Sequence, residues 1–325
     1  MTSEMTAESG ERRRRSLATW LAGGVGVVGL AALIVVINPG ELGRALTHFD
    51  LILIPPIVVC SLAYYVMQGV RWQFLLRDVG AHLPMGETVA LNLAGQVTTL
   101  LPLGELTRVV LAARETDTSF GDVLATVTVQ ELIYGLLLVV VAVPGLFEFH
   151  ISPVIPIAAA VVAAAAISVL TLPPLFHALH TVGGKILGVR RLLGPLDELH
   201  AETVQLLQRP DTLGWSLIGL AQVAAMTTVF WLVAQALAPG ALTWPEAASV
   251  YAVGSISGAI SLIPGGLGAS EATLAGVLIV AGLPPAVATA VALMQRAGGQ
   301  GVATVAGAGA YLYAKRKYHI RRLLG

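Results

Sequence analysis

The sequence predicts an all-α polytopic membrane protein of two inverted repeats, with about six full spans, two broken or re-entrant helical hairpins and both termini cytoplasmic. Three observations carry that prediction. The 325 residues are 56% hydrophobic and only 12% charged, with a mean hydropathy of +0.80, whereas a soluble domain carries about 25% charged residues. Apolar runs recur at the length of roughly 20 residues that crosses a hydrocarbon core as a helix. The cations gather on one side of those runs. A soluble globular enzyme is thereby excluded. With 19 cations against 19 anions, net charge carries no information about partners, and a nucleic-acid partner is not expected.

The runs lie at 17–37, 51–74, 123–143, 154–172, 215–237 and 285–313. The first follows Arg12 to Arg15 as a signal peptide would. It is longer than a signal h-region and no small-residue cleavage site precedes Asn38 and Pro39, so it reads as a retained anchor. With the N-terminus in the cytoplasm, every lysine and arginine falls inside except Arg44, which is outside, and Arg296, which is within a span. The expected organisation is a basic cytoplasmic segment at 1–16, a single integral membrane domain at 17–314 and a basic cytoplasmic tail at 315–325. The repeats occupy about 17–143 and 154–314. Residues 173–214 form the long polar connection, where Leu193, Leu196, Leu199 and Leu207 suggest a helix on the cytoplasmic surface. The chain is expected in the cytoplasmic membrane as a multi-pass protein.

Two stretches, 87–114 and 247–281, do not read as simple spans. Each has an apolar limb, a break of proline and glycine, and a second short limb; the breaks are Leu101-Pro102-Leu103-Gly104-Glu105 and Ile263-Pro264-Gly265-Gly266-Leu267-Gly268. Re-entrant hairpins and pairs of full spans preserve the same parity, so both readings stand. Irregular backbone at membrane depth has to be buried in protein or line a wet cavity. The two halves also repeat in order: Trp72 to Glu87 and Trp231 to Glu246 are both 15 residues, Glu105 to Gln130 is 25 and Glu271 to Gln295 is 24. An odd number of crossings per half inverts the second half, and broken helices meeting near the midplane of inverted repeats form the sites of secondary transporters.

Charges inside spans cost about 2.5 to 3.5 kcal/mol each, so they face partners or water. The candidates are Glu105, Arg108, Glu131, Glu271 and Arg296, with Asn92, Gln96, Gln130, Gln295 and Gln300 nearby. Glu131 and Arg296 occupy equivalent positions in the halves, and a pairing across the pseudo-twofold axis is expected. Glu105 and Arg108 also have the spacing of a pair on one helical face, and Glu271 the position of a helix cap after Gly268. Backbone amides from Gly265, Gly266 and Gly268 to Ser270 suit a phosphate at a helix N-terminus, although the glycines equally suit a tight turn. Gly254 to Gly258 is a GxxxG packing motif, and Thr118 to Asp122 has the form of a capping box.

Other chemistry finds little support. Cys60 stands alone, excluding a disulfide framework; His177 and His180 lack a third metal ligand; and neither HExxH nor a P-loop is present. No cofactor or metal is expected. Ser270 follows a Gly-Ala like an intramembrane protease nucleophile, but the spans contain no histidine base, and the chain is not expected to be an enzyme.

Arg71-Trp72-Gln73-Phe74-Leu75-Leu76-Arg77, the first break through Arg108, and Pro264-Gly265-Gly266-Leu267-Gly268-Ala269-Ser270-Glu271 with Gln295-Arg296 resemble the lysylphosphatidylglycerol synthase transmembrane family of flippase-like proteins. The likeness runs from about residue 17 to 313, without the soluble aminoacyl-transferase domain of full-length synthases. It implies movement of a phospholipid or polyprenyl-phosphate-linked lipid across the membrane, with Glu105, Arg108, Glu271 and Arg296 at the family's polar positions. The function expected is a lipid or lipid-linked glycan flippase. The alternative is a non-transporting membrane partner of a glycosyltransferase or another envelope-lipid enzyme.

Overall fold

Prolines and glycines set most of the helix limits. In the computed structural model, which describes residues 39–98, 106–148, 210–261 and 263–317 and isolated positions between 161 and 204, every described element is helical. The run at 17–37, most of 154–172, the leucines of the polar connection and the first break with Glu105 lie outside the described residues. A short helix α1 (Pro39–Thr47) precedes a 3-10 turn whose cap is Asp50, accepting from Ile52 N at 3.0 Å. Then α2 (Ile54–Asp78) starts on Pro55 and Pro56, where proline's fixed φ and missing donor cost nothing. It stops at Gly80, φ 79°, with Ala81 N bonding back to Leu76 O at 2.8 Å, the left-handed stop that favours glycine. The same device, Gly282 with Leu283 N on Leu278 O at 3.0 Å, ends a later helix.

Next come α3 (Met85–Gln96), α4 (Leu106–Thr116) and α5 (Phe120–Glu148). The expected cap of α5 is present: Ser119 Oγ accepts from Asp122 N at 3.1 Å. Helix α6 (Pro210–Leu237) leads to α7 (Trp244–Ile260), whose start is a capping box between Thr243 and Glu246. Glu246, which marks the repeat in the sequence, therefore serves the helix end. A 3-10 turn over Pro264–Gly266 follows, then α8 (Ala269–Val280), α9 (Pro285–Arg296) and α10 (Val302–Lys317).

Three described helices are long and apolar enough to cross a membrane: Leu51–Asp78, Phe120–Gly145 and Leu217–Leu237. The run expected as one span at 285–313 is instead α9 and α10 joined by a π turn, Ala297–Gly301. Its glycines, at 298, 299 and 301, each cost about 1 kcal/mol against alanine in a regular helix. Helices α3, α4 and α8 have 12, 11 and 12 residues, or about 18 Å at 1.5 Å per residue, too short to span alone.

Packing is broad between α2 and α6, α7 and α5, and α10 and α3, while α3 packs on α4 and α7 on α8. Polar bridges join these surfaces: Ser249 Oγ donates to Ala142 O at 2.7 Å, and the hydroxyls of Ser257 and Thr273 meet at 2.7 Å. Glycines at and before the second break allow close approach. Gly254 backs onto Leu274, and a Cβ on Gly266, φ 62°, would lie 2.9 Å from Gly258 Cα.

Gly266→Ala therefore combines a left-handed residue with a backbone clash and is expected to destabilise the protein by about 1–3 kcal/mol, read as a lower melting temperature in detergent. An unchanged melting temperature would show that the break relaxes freely.

Candidate functional site

Helix α2 carries a polar stripe. Ser61, Tyr64, Tyr65, Gln68, Arg71 and Trp72 are all buried at spacings of three and four, one helical face. Arg71, expected among the cytoplasmic cations, is only 2% exposed. Its Nη1 donates to Gln222 Oε1 on α6 at 2.8 Å and its Nη2 to Gln130 O on α5 at 3.3 Å. Gln68 is a second junction: its Oε1 accepts from Asn92 and Gln96 of α3 at 3.1 and 3.3 Å, and its backbone oxygen from Gln130 at 2.8 Å.

The first arginine of the short helix α4 is enclosed by this network. Arg108 donates to Asn92 Oδ1 at 2.7 Å, Gln130 Oε1 at 3.4 Å and Glu131 Oε1 at 3.2 Å, and its guanidinium lies 5.3 Å from the Trp72 ring centre, within cation–π range. Only its Nε is buried without an acceptor.

At the second break the polarity is transposed. Glu271, in the first turn of α8, caps the helix through Gly268 N at 2.7 Å and pairs with Arg296 Nε at the end of α9. Arg296 Nη2 donates to Gly265 O at 2.9 Å. The cap expected for Glu271 is formed, and an ion pair accompanies it, one on each carboxylate oxygen. The expected pairing of Glu131 with Arg296 is not formed; each charge is held within its own half, because a carboxylate or guanidinium of the adjacent short helix lies nearer. In each pair one member is the more accessible: Glu131 is 42% exposed against 3% for Arg108, and Arg296 21% against 1% for Glu271.

A cavity of about 180 Å³ lies beside the second pair. Its lining mixes apolar and aromatic side chains, Tyr64, Tyr65, Tyr251, Met226 and Leu274, with polar ones, Ser255, Ser270, Glu271, Gln295, Arg296 and Gln300. Gln300 Nε2 donates to Gln96 O at 3.3 Å and Ser61 Oγ to Gly299 O at 3.3 Å, so the π turn joins the cavity to the first half's network. The hydroxyls of Tyr134 and Tyr251 meet at 3.3 Å between α5 and α7.

Of the sequence candidates, Glu271, Arg296, Gln295 and Ser270 share the cavity, while Arg108 and Glu131 form the separate enclosed pair and Glu105 is outside the described residues. Two of the glycine donors are committed elsewhere, Gly266 N to Ile263 O at 2.7 Å and Gly268 N to the Glu271 carboxylate, while the Gly265 carbonyl accepts from Arg296. The lining tyrosines, Arg71 and Gln222 were not among the candidates. For Tyr64, Tyr65 and Arg71 the signal was the three- and four-residue spacing of polar groups along α2; Gln222 and Tyr251, on α6 and α7, carried none.

Residues 20–307 match the family described as the lysylphosphatidylglycerol synthase TM region, and the chain belongs to that family. It is also 25% identical, over 308 residues, to a UPF0104 membrane protein of Methanothermobacter thermautotrophicus, covering 84% of this chain and 88% of that protein.

A double-mutant cycle on stability is expected to give a coupling of about 0.5–3 kcal/mol for Glu271 with Arg296, and additivity within about 0.5 kcal/mol for Glu131 with Arg296. Exchanging Glu271 and Arg296 is expected not to restore stability, since arginine at 271 cannot accept from Gly268 N. Full rescue by the exchange would reduce Glu271 to a simple counter-charge.

Proposed function

We propose that this member of the lysylphosphatidylglycerol synthase transmembrane family moves a lipid with a phosphate-bearing head group across the cytoplasmic membrane, without ATP hydrolysis or covalent chemistry of its own. The observation that carries the reading is the buried Glu271–Arg296 pair bordering a polar cavity among apolar helices. Burying such charges is costly, and a cavity beside them gives the accessible guanidinium something to bind. Arg296 receives the phosphate, Ser270, Gln295 and Gln300 contribute polar contacts, and the lining tyrosines face the remainder of the head group. Gly265, Gly266 and Gly268 serve by bending the break. Arg108, Glu131 and Glu105 belong to the corresponding site of the first half.

The architecture proposed is two inverted repeats within an integral domain at 17–314, about six spans and two re-entrant hairpins, with both termini cytoplasmic. Its support is an exchange in the packing: α3 lies on α10 and α7 on α5, while α2 meets α6, as two interlocked halves would. The short hairpin helices and the transposed ion pairs agree with this. A membrane partner of a glycosyltransferase or other envelope enzyme, the second reading, has no need of a polar cavity, and the presence of one favours transport. The substrate is a phospholipid or a polyprenyl-phosphate-linked lipid.

The reading is tested in proteoliposomes carrying a fluorescent phospholipid, with dithionite bleaching to report transbilayer movement. Wild type is expected to accelerate movement over protein-free vesicles, and Arg296→Ala and Glu271→Gln to slow it at least tenfold while still reconstituting. Equal rates in wild type and both variants would discard the transport role of this site.

A further inference from the structure

The cavity wall contains one polar group that the protein leaves unanswered. Gln295, on α9 immediately before Arg296, is 7% exposed and borders the cavity. Its Oε1 is buried and accepts no hydrogen bond. A buried carboxamide oxygen without a donor is costly, and the rotation of a terminal amide about its sp³–sp² bond is broad and roughly two-fold. The amide can therefore bring its oxygen to the cavity by exchanging it with Nε2, and a donor arriving there supplies the bond the oxygen lacks. Beside it, Arg296 spends Nε on Glu271 and Nη2 on Gly265 O, leaving Nη1 uncommitted among the described residues. The two neighbours thus ask for different things, an anion at Arg296 and an O–H or N–H at Gln295.

We propose that Gln295 makes the cavity selective for phosphate head groups that carry a hydrogen-bond donor, a hydroxyl or an amine, over those that carry none. The proposal rests on the reading of the cavity as a phosphate head-group site and adds the chemistry of the group beyond the phosphate. The cavity volume, about 180 Å³, is below the roughly 300–1,000 Å³ of sites that enclose a whole drug-sized ligand, so it takes the head group and leaves the chains outside. A site built to hydrogen-bond a ligand rejects the analogue lacking that group, because its own polar atom is then left unpaired.

Native mass spectrometry of the full chain in mild detergent, offered equal amounts of five dioleoyl lipids, tests this. Phosphatidylethanolamine, its N,N-dimethyl derivative and phosphatidylglycerol each carry a donor; phosphatidylcholine carries phosphate but no donor; dioleoylglycerol carries a hydroxyl but no phosphate. Wild type is expected to retain the three donor-bearing phospholipids roughly five- to tenfold over phosphatidylcholine, the worth of about one hydrogen bond. The dimethyl lipid separates a missing donor from the bulk of choline. Gln295→Leu is expected to lose this preference yet still retain phospholipids over dioleoylglycerol, and Gln295→Glu, which keeps an acceptor, to preserve it. If Gln295→Leu does not fold, the wild-type ratios and Gln295→Glu decide. Equal retention of phosphatidylcholine by wild type, or an unchanged preference in a folded Gln295→Leu, overturns the proposal while leaving the phosphate reading standing. Retention of no phospholipid above dioleoylglycerol removes the head-group reading itself, and this inference with it.

Discussion

An ionised side chain among apolar helices has to find its counter-charge and its remaining hydrogen bonds inside the protein, because lipid supplies neither. Much of the interior follows from that constraint. Arg108 takes Asn92, Gln130, Glu131 and the face of Trp72; those partners sit on α3, α5 and α2, so one guanidinium fixes four helices against each other. Arg71 does the same for α2, α5 and α6 through Gln222 and the Gln130 carbonyl. The amides between them are then obliged to pair in turn. This accounts for the buried Gln68, Asn92 and Gln96, residues that an apolar bundle would otherwise exclude.

Close backbone approach makes the second site possible. Gly254 and Gly258 let α7 settle against α8 and the break, and Gly266 lies directly over Gly258. With the break held there, Gly265 O and the Glu271 carboxylate both reach Arg296. The π turn that follows Arg296 widens the helix, and Gln295, Arg296, Gly299 and Gln300 all border the cavity. A π turn inside an otherwise regular helix is a frequent mark of a functional position, and here it falls at the residue that also carries the charge.

Much of this was legible from the residues. The apolar lengths of α2, α5 and α6 identify them as spans, the proline and glycine runs locate the second break, and Glu131, Glu271 and Arg296 stand out as charges in apolar surroundings. Partner choice was not legible. Equal spacing in two halves relates Glu131 to Arg296 by position, but equivalent position in a repeat does not by itself bring residues into contact, and each pairs with a residue of a neighbouring helix, Glu131 with Arg108 and Arg296 with Glu271. The burial of Arg71 near the end of its apolar run was legible only through Gln68, three positions before it on the same helical face. The single span at 285–313 concealed a π turn because small residues there also suit close helix packing.

The two ion pairs meet one constraint with opposite polarity, and the consequence lies in which member each leaves accessible. In the first pair the arginine of α4 is enclosed and the glutamate of α5 is open; in the second the glutamate of α8 is enclosed and the arginine of α9 is open. The enclosed members are bound by several partners each, Glu271 through a helix cap and a salt bridge, Arg108 through three acceptors and a ring. They anchor α4 and α8. The open members, Glu131 and Arg296, each follow a glutamine and keep surface to spare. A guanidinium half-compensated by a buried carboxylate holds an anion less tightly than a bare one, and the transport role proposed for this site requires that weakness as much as it requires binding, since a head group gripped by an unpaired arginine in low dielectric would not leave.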